Sequence, residues 1–378
     1  MIYFDNAATT QVSPEAASAV TRMMTKTFGN PSSAHIMGLE AERELTAAAQ
    51  IIADILKVRP DEIYFTSGGT ESNNIAIIGA AMARKKLGCH IITSRTEHPS
   101  AENAIRALES EGFEITRLPA DQNGMVQPSS VLEAVRSDTI LISLIHVNNE
   151  TGAVSDISEI SRLVKEQNSR ILFHTDAVQG FCKEPLNLKY VDLYSLSAHK
   201  IHGMKGSGAL FIRKGVTIKP LVFGGGQQRD IRPGTENIPG IASLASAAAA
   251  QMKNIKQTRE QVSHIRDEIA SLEKSLEQVY INGAGSPFIL NMSFMGIKGE
   301  TLAHALESEG IFISTGSACN AKHPGQSSLA ALNIGTERVN SAVRFSFSDI
   351  NTLDEAKTCK DTVIKTVKIL RENIRKRH

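Results

Sequence analysis

The chain has almost no net charge, with 41 Lys and Arg against 40 Asp and Glu. That balance removes the broad electrostatic pull toward nucleic acid or anionic membrane. No apolar run approaches the ~20 residues that a bilayer-crossing helix needs. The most apolar stretch, Ile238 to Ala250, is short and Ala-rich, and reads as a buried helix. Cysteine is scarce. Cys89, Cys182, Cys319 and Cys359 form no CxxC pair and no zinc pattern. The opening Met1-Ile2-Tyr3-Phe4-Asp5 lacks the basic, apolar and cleavage regions of a secretory leader. The cytoplasm, where thiols stay reduced, is therefore the expected compartment. Internal repeats, low-complexity tracts and long linkers are also missing.

What is present is a chain of 378 residues, 41% hydrophobic, enough for a large core and too long for one ordinary domain. Apolar strands and amphipathic helices alternate. Strands are predicted at 63–66, 91–93, 114–118, 140–145, 171–175, 192–195 and 209–212, with helices through about Lys86, at 99–112 and at 157–166. Such runs predict an α/β fold with a largely parallel sheet covered on both faces. Near Pro233-Gly234 the pattern changes. One long helical region is expected from Pro239 to Gln278, then a smaller α+β segment with a final helix from Leu353. The expected division is a large domain over 15–245 and a small one from 1–14 and 246–378.

Several motifs fall where strands meet helices. Thr66-Ser67-Gly68-Gly69-Thr70-Glu71 offers close backbone, hydroxyls and a helix N-terminus, which suits a phosphate. It lacks the Lys of a nucleotide P-loop and is not GxGxxG. Asp176 follows a buried strand, where open sheets hold ligands and a carboxylate can pair with a protonated ring nitrogen. Lys200, in Ser197-Ala198-His199-Lys200, stands at a strand end where desolvation would make its amine nucleophilic. His98, before Pro99, can stack on an aromatic ring or exchange protons. Each has an ordinary reading when taken alone: a helix cap, a surface lysine, a capping histidine. His146, His174 and His202 read as structural, and Cys89, Cys182 and Cys359 as packing residues. Cys319, in Ser314-Thr315-Gly316-Ser317-Ala318-Cys319, has the surroundings of a movable nucleophile. Together the first four motifs make up a site for pyridoxal phosphate.

At this point the chain resembles the NifS/IscS-like cysteine desulfurases, a branch of the class V aminotransferases with the type I fold. The matching segments are Tyr3–Thr10, Phe28–Ser33, Thr66–Asn74, Glu97-His98, His146–Gly152, Asp176–Gln179, Ser197–Lys200, Arg232–Thr235, Gly316–Cys319 and Val343–Ser346. The resemblance implies that Lys200 holds the cofactor as a Schiff base and Asp176 pairs with its ring nitrogen. It implies that Gln179 meets the phenolic oxygen and that His98 lies over the ring. Gly69, Thr70, Ser197 and His199 would hold the phosphate, with Thr235 arriving from the second subunit of a homodimer. Asn149 and Arg344 would bind L-cysteine. Cys319 would take the sulfur as a persulfide for an acceptor such as an iron–sulfur scaffold, a tRNA thiolation enzyme or a thiamin pathway protein. No resident metal is implied, although Cys319 could ligate an iron–sulfur cluster in passing.

The chain departs from the family at Met204, where proline is common, and along Asn320–Ser328 after Cys319. It departs again at Ser348-Asp349, where glycine is usual. The other enzymatic readings are a selenocysteine lyase or another aminotransferase or lyase using the same cofactor. Those would share Lys200, Asp176 and Gln179 without needing Cys319. A non-enzymatic sulfur carrier or scaffold would hold no lysine-bound cofactor.

Overall fold

The computed structural model describes residues 1–315 and 328–376. Strands are β1 (Ile2–Tyr3), β2 (Ile63–Thr66), β3 (His90–Ser94), β4 (Glu114–Leu118), β5 (Thr139–Ile145), β6 (Leu172–Asp176), β7 (Leu193–Ser197) and β8 (Gly208–Ile212). The smaller segment adds β9 (Val279–Ile281), β10 (Ile289–Phe294), β11 (Ile311–Phe312), β12 (Ser314–Thr315) and β13 (Ala342–Ser346). A large sheet runs in the order β2-β8-β7-β6-β5-β3-β4. Its pairings from β7 through β4 are parallel, while β8 lies antiparallel between β7 and β2. Strands β3 and β5 to β8 are buried along their whole length, which accounts for their mainly apolar runs.

Helices cover both faces. They include α1 (Pro14–Thr25), α2 (Ile36–Leu56), α3 (Gly69–Arg84), α4 (Pro99–Ser110), α5 (Pro128–Ala134), α6 (Ile157–Gln167), α7 (Ile238–Lys253) and α8 (Ile255–Ala270). The first two and α5 were not anticipated from the sequence. The turn into α3 depends on glycine twice. Gly68 adopts φ +145°, and a Cβ on Gly208 of β8 would sit 2.6 Å from the Gly68 Cα. The loop therefore lies directly on the sheet, and the α3 N-terminus opens at the strand ends.

The expected single helix over 239–278 is divided. Asn254, at φ −129° and ψ 23°, ends α7 and begins α8. The break lies in its backbone, since its side chain makes no cap hydrogen bond. Helix α7 buries Ile241, Leu244 and Ala248 in the core of the large sheet. Helix α8 buries Val262, Ile265 and Ile269 in a separate core with Phe4, β10, β13 and the final helix Leu353–Arg375. There Phe4 meets Phe347 edge to face, ring centroids 5.0 Å apart. The small sheet runs β12-β13-β10-β9, and β1 pairs with β11. The chain thus passes between the two sheets across Ile313, from β11 to β12. Among the described residues no helix is long and apolar enough to cross a membrane.

Candidate active site

The parallel strands deliver side chains to one edge of the large sheet. Asp176 ends β6, and one 3-10 turn after β7 presents Lys200. The Lys200 amine donates to the Ala7 and Ala8 carbonyls, each at 2.7 Å. Burial pushes its pKa down to about 7, helped by the nearby cations Arg344 and Lys183 against Asp5 and Asp176. Asp176 accepts from the Asn73 amide at 2.7 Å and from the Val178 N–H at 3.0 Å. Gln179 donates to the Ala7 carbonyl at 2.8 Å, while its buried Oε1 has no partner. His98 is the N-cap of α4, its Nδ1 accepting from the Ser100 N–H. Burial lowers its pKa, with Lys200 adding to the effect and Asp176 opposing it.

These groups enclose a cavity of about 320 Å³. At one end are Gly69 and Thr70 at the α3 N-terminus, Ser197 and His199. Burial, and then the cations Lys200, Lys205 and Lys183, push His199 down to about 4. The imidazole is therefore neutral near pH 7, and the free N–H groups of α3 supply the attraction for an anion. At the other end is Arg344 of β13, only 7% exposed. It donates to Asp5 Oδ1 and to the Asn149 carbonyl, both at 2.8 Å, and its buried Nε has no partner. Asn73 Oδ1 is also buried and unpartnered. Each unsatisfied buried polar atom costs about 1–3 kcal/mol, so orphans on Gln179, Asn73 and Arg344 around one cavity point to a polar ligand.

The structure brings Gly69, Thr70, His98, Asn149, Asp176, Gln179, Ser197, His199, Lys200 and Arg344 to this cavity. Thr235 is exposed and does not line it within one chain. Cys319 lies outside the described residues, but Thr315, four positions earlier, is on the cavity wall. The other three cysteines are poorly placed as thiolates. Cys182 is raised by burial, Cys359 is pushed up to about 12 by burial, and Cys89 is raised by its hydrogen bond to Asp138. His174 bridges Ser143 and Ser195 inside the sheet, and His202 faces Asp349 at 3.0 Å. His146 packs against Gly180 in the interior. No cluster of three or more His, Cys, Asp or Glu among the described residues could hold a metal ion.

Sequence reasoning missed Asp5, Asn73 and Ser100. Asp5 sits in the matched segment Tyr3–Thr10, and Asn73 lies one helical turn beyond Gly69. The one-turn spacing was the available signal for Asn73, since it puts both on one face of α3.

A family model described as aminotransferase class-V matches residues 2–358. The chain belongs to the class-V aminotransferase family. Among class-V relatives, a NifS/IcsS protein homolog of Lactobacillus delbrueckii subsp. bulgaricus is 43% identical over 94% of both chains. The cysteine desulfurase IscS of Dictyoglomus turgidum is 41% identical, covering 98% of this chain and 95% of its own. A solved NifS-like protein superposes with a TM-score of 0.92 at 34% identity, over 97% of this chain and 99% of the other. A structure of SspA in complex with cysteine gives a TM-score of 0.80 at 34% identity, over 92% of this chain and 99% of the other. These likenesses place the chain in the NifS/IscS branch of the class-V family, with its type I fold.

Proposed function

We propose that this class-V enzyme is a cysteine desulfurase that uses pyridoxal phosphate to move sulfur from L-cysteine to Cys319, leaving L-alanine. The observation that carries the reading is one cavity holding a desolvated amine at Lys200, a carboxylate at Asp176 and unpartnered donor or acceptor atoms on Gln179 and Arg344. That donor set fits the cofactor. Lys200 would hold it covalently, and Asp176 would face its ring nitrogen. Gln179 would meet its phenolic oxygen, and His98 would cover the ring. Gly69, Thr70, Ser197 and His199 would take the phosphate. When bound, the cofactor supplies an electron sink that loosens bonds at the Cα and Cβ of an amino acid.

The chain's own groups do the rest. Arg344 would meet the substrate carboxylate from the cavity wall, with Asp5 and the Asn149 carbonyl fixing its guanidinium plane. Lys200 at about 7 can hold or release a proton near neutrality. The Cys319 thiolate attacks the substrate sulfur. The Cβ–S bond breaks, an S–S bond forms on Cys319, and the carbon fragment takes up a proton as L-alanine.

A large and a small domain are part of this reading, supported by the two separate cores, with the change falling at Asn254 rather than at 245 because α7 packs in the large-sheet core as far as Ala248. So is a homodimer, in which Thr235 serves the partner's site. The reducing cytoplasm suits a reaction run by a free thiol. The persulfide then passes to an acceptor protein, an iron–sulfur scaffold or a thiolation enzyme.

Cys319→Ala tests the proposal against the alternative of a selenocysteine lyase. The variant should keep the absorbance of lysine-bound cofactor and lose alanine production from L-cysteine. Undiminished alanine production would remove Cys319 from the reaction. Absence of the lysine-bound band in the parent protein would remove the cofactor.

A further inference from the structure

A chain of oriented hydrogen bonds runs from Asp176 to His98. The Asp176 Oδ2 accepts from Asn73 Nδ2 at 2.7 Å. A carboxylate accepts, so this contact decides which way the Asn73 amide points. The same NH₂ group donates its second hydrogen to Ser100 Oγ at 2.8 Å. With Asn73 on one lone pair, the Ser100 hydroxyl has His98 Nδ1, 2.7 Å away, as an acceptor for its own hydrogen. The Ser100 backbone N–H also points at that nitrogen, at 3.1 Å. His98 Nδ1 therefore receives two donors and has no room for a proton.

The helix gives a second reason. Nδ1 caps the N-terminus of α4, which needs an acceptor and carries partial positive charge. A proton on Nδ1 would remove the cap and strand the Ser100 N–H, and with Nε2 also protonated it would place a cation at the positive end of the helix. Asn73 is completely buried and Ser100 is 9% exposed, so water cannot readily take over these bonds.

We infer that Asn73 and Ser100 are positioning residues that lock His98 in its neutral form with the proton on Nε2. His98 then covers the ring and donates one hydrogen bond into the cavity, and proton transfer to and from the substrate falls to Lys200. The lock follows from geometry in the chain itself. Its consequence for the reaction rests on the cofactor reading above. The titratable groups that act on His98 are Asp176 and Lys200, and their influences oppose each other.

The test is nitrogen NMR on full-length protein carrying labelled histidine and loaded with pyridoxal phosphate, with His98→Gln assigning the signals. Near neutral pH the parent should show an unprotonated Nδ1 and a protonated Nε2. Ser100→Ala should let His98 take up its second proton at higher pH and cut kcat roughly fivefold, the loss of one hydrogen bond. The limb of its kcat–pH profile should stay where it is in the parent, and Ser100→Thr should restore kcat. A protonated Nδ1 in the parent overturns the lock, whether or not the variant folds well. A kcat limb that moves with the His98 titration returns proton transfer to His98. Failure to load the cofactor, read as a missing lysine-bound band, counts against the cofactor reading instead.

Discussion

The low pKa of Lys200 governs how fast the chain can capture its cofactor. Only the neutral amine attacks a carbonyl. With its pKa at about 7, half of the Lys200 side chains are neutral at pH 7. An ordinary lysine near ~10.4 would be neutral in about four molecules in ten thousand, so the structure predicts capture roughly a thousandfold faster. The perturbation is Lys183→Met. Lys183 is 6% exposed, with its ammonium 5.7 Å from the Phe288 ring centroid. It ranks after burial and Arg344 among the influences lowering Lys200. Removing it should raise the Lys200 midpoint while leaving it below the ordinary value. Each unit of rise slows capture at pH 7 by up to about tenfold. The assay adds pyridoxal phosphate to apo protein across a pH series and follows the lysine-bound band. A parent midpoint near that of a free lysine, or a downward move in Lys183→Met, would refute the reasoning. The linkage has a matching sign. Between about pH 7 and the ordinary value the unfolded chain holds more proton at this lysine than the folded one, so this group makes apo stability rise with pH.

Two further outcomes are expected. Burial raises the Asp349 carboxyl most, but the hydrogen bond and charge of His202, the Gln251 amide and the backbone together outweigh it, and the net pKa is lowered. Stability from this contact is present at neutral pH and lost as pH falls through the carboxyl's lowered pKa. Asp349→Asn should therefore cost under about 1 kcal/mol in urea unfolding at pH 7, because the carboxylate is 38% exposed. A cost that persists unchanged in strong acid would contradict the pairing. Gly69→Ala would place a methyl 2.5 Å from Val178 Cγ2, displacing the segment between Asp176 and Gln179. Strain of about 1–3 kcal/mol predicts about five- to hundredfold weaker cofactor binding, read by titrating apo protein. Unchanged affinity would take Gly69 out of the phosphate end.

Much of the site was legible because its main residues follow strands. Asp176 and Lys200 stand at the ends of apolar runs, where ligand chemistry collects in such sheets. His98 was open to two readings, cap or cofactor contact, and the structure makes it an N-cap that also lines the cavity. Asn73 and Asp5 were hidden for a different reason. Their partners Asp176 and Arg344 lie 103 and 339 residues away, and no local pattern marks such pairings. Helix α1 was a missed local signal. Ser13 caps it, Pro14 opens it and Glu15 sits in its first turn. The division of the helix at Asn254 was harder to read, because charged residues on both sides kept a helical rhythm.

The segment Asp5–Thr10 forms part of the cavity wall, and it fixes an order of events. Asn6 donates to the Ser346 carbonyl at 3.0 Å, the Ala7 N–H to Ser346 Oγ at 2.8 Å, and the Ser346 N–H to the Phe4 carbonyl at 2.7 Å. The carbonyls that receive Lys200 are therefore held by a residue made more than 330 positions later. During synthesis these first residues must wait, unpaired, until β13 has left the ribosome. A shortened chain can complete the large sheet and still lack the acceptors that hold Lys200. The acceptors of Lys200 are thus set only once the chain has been made through β13.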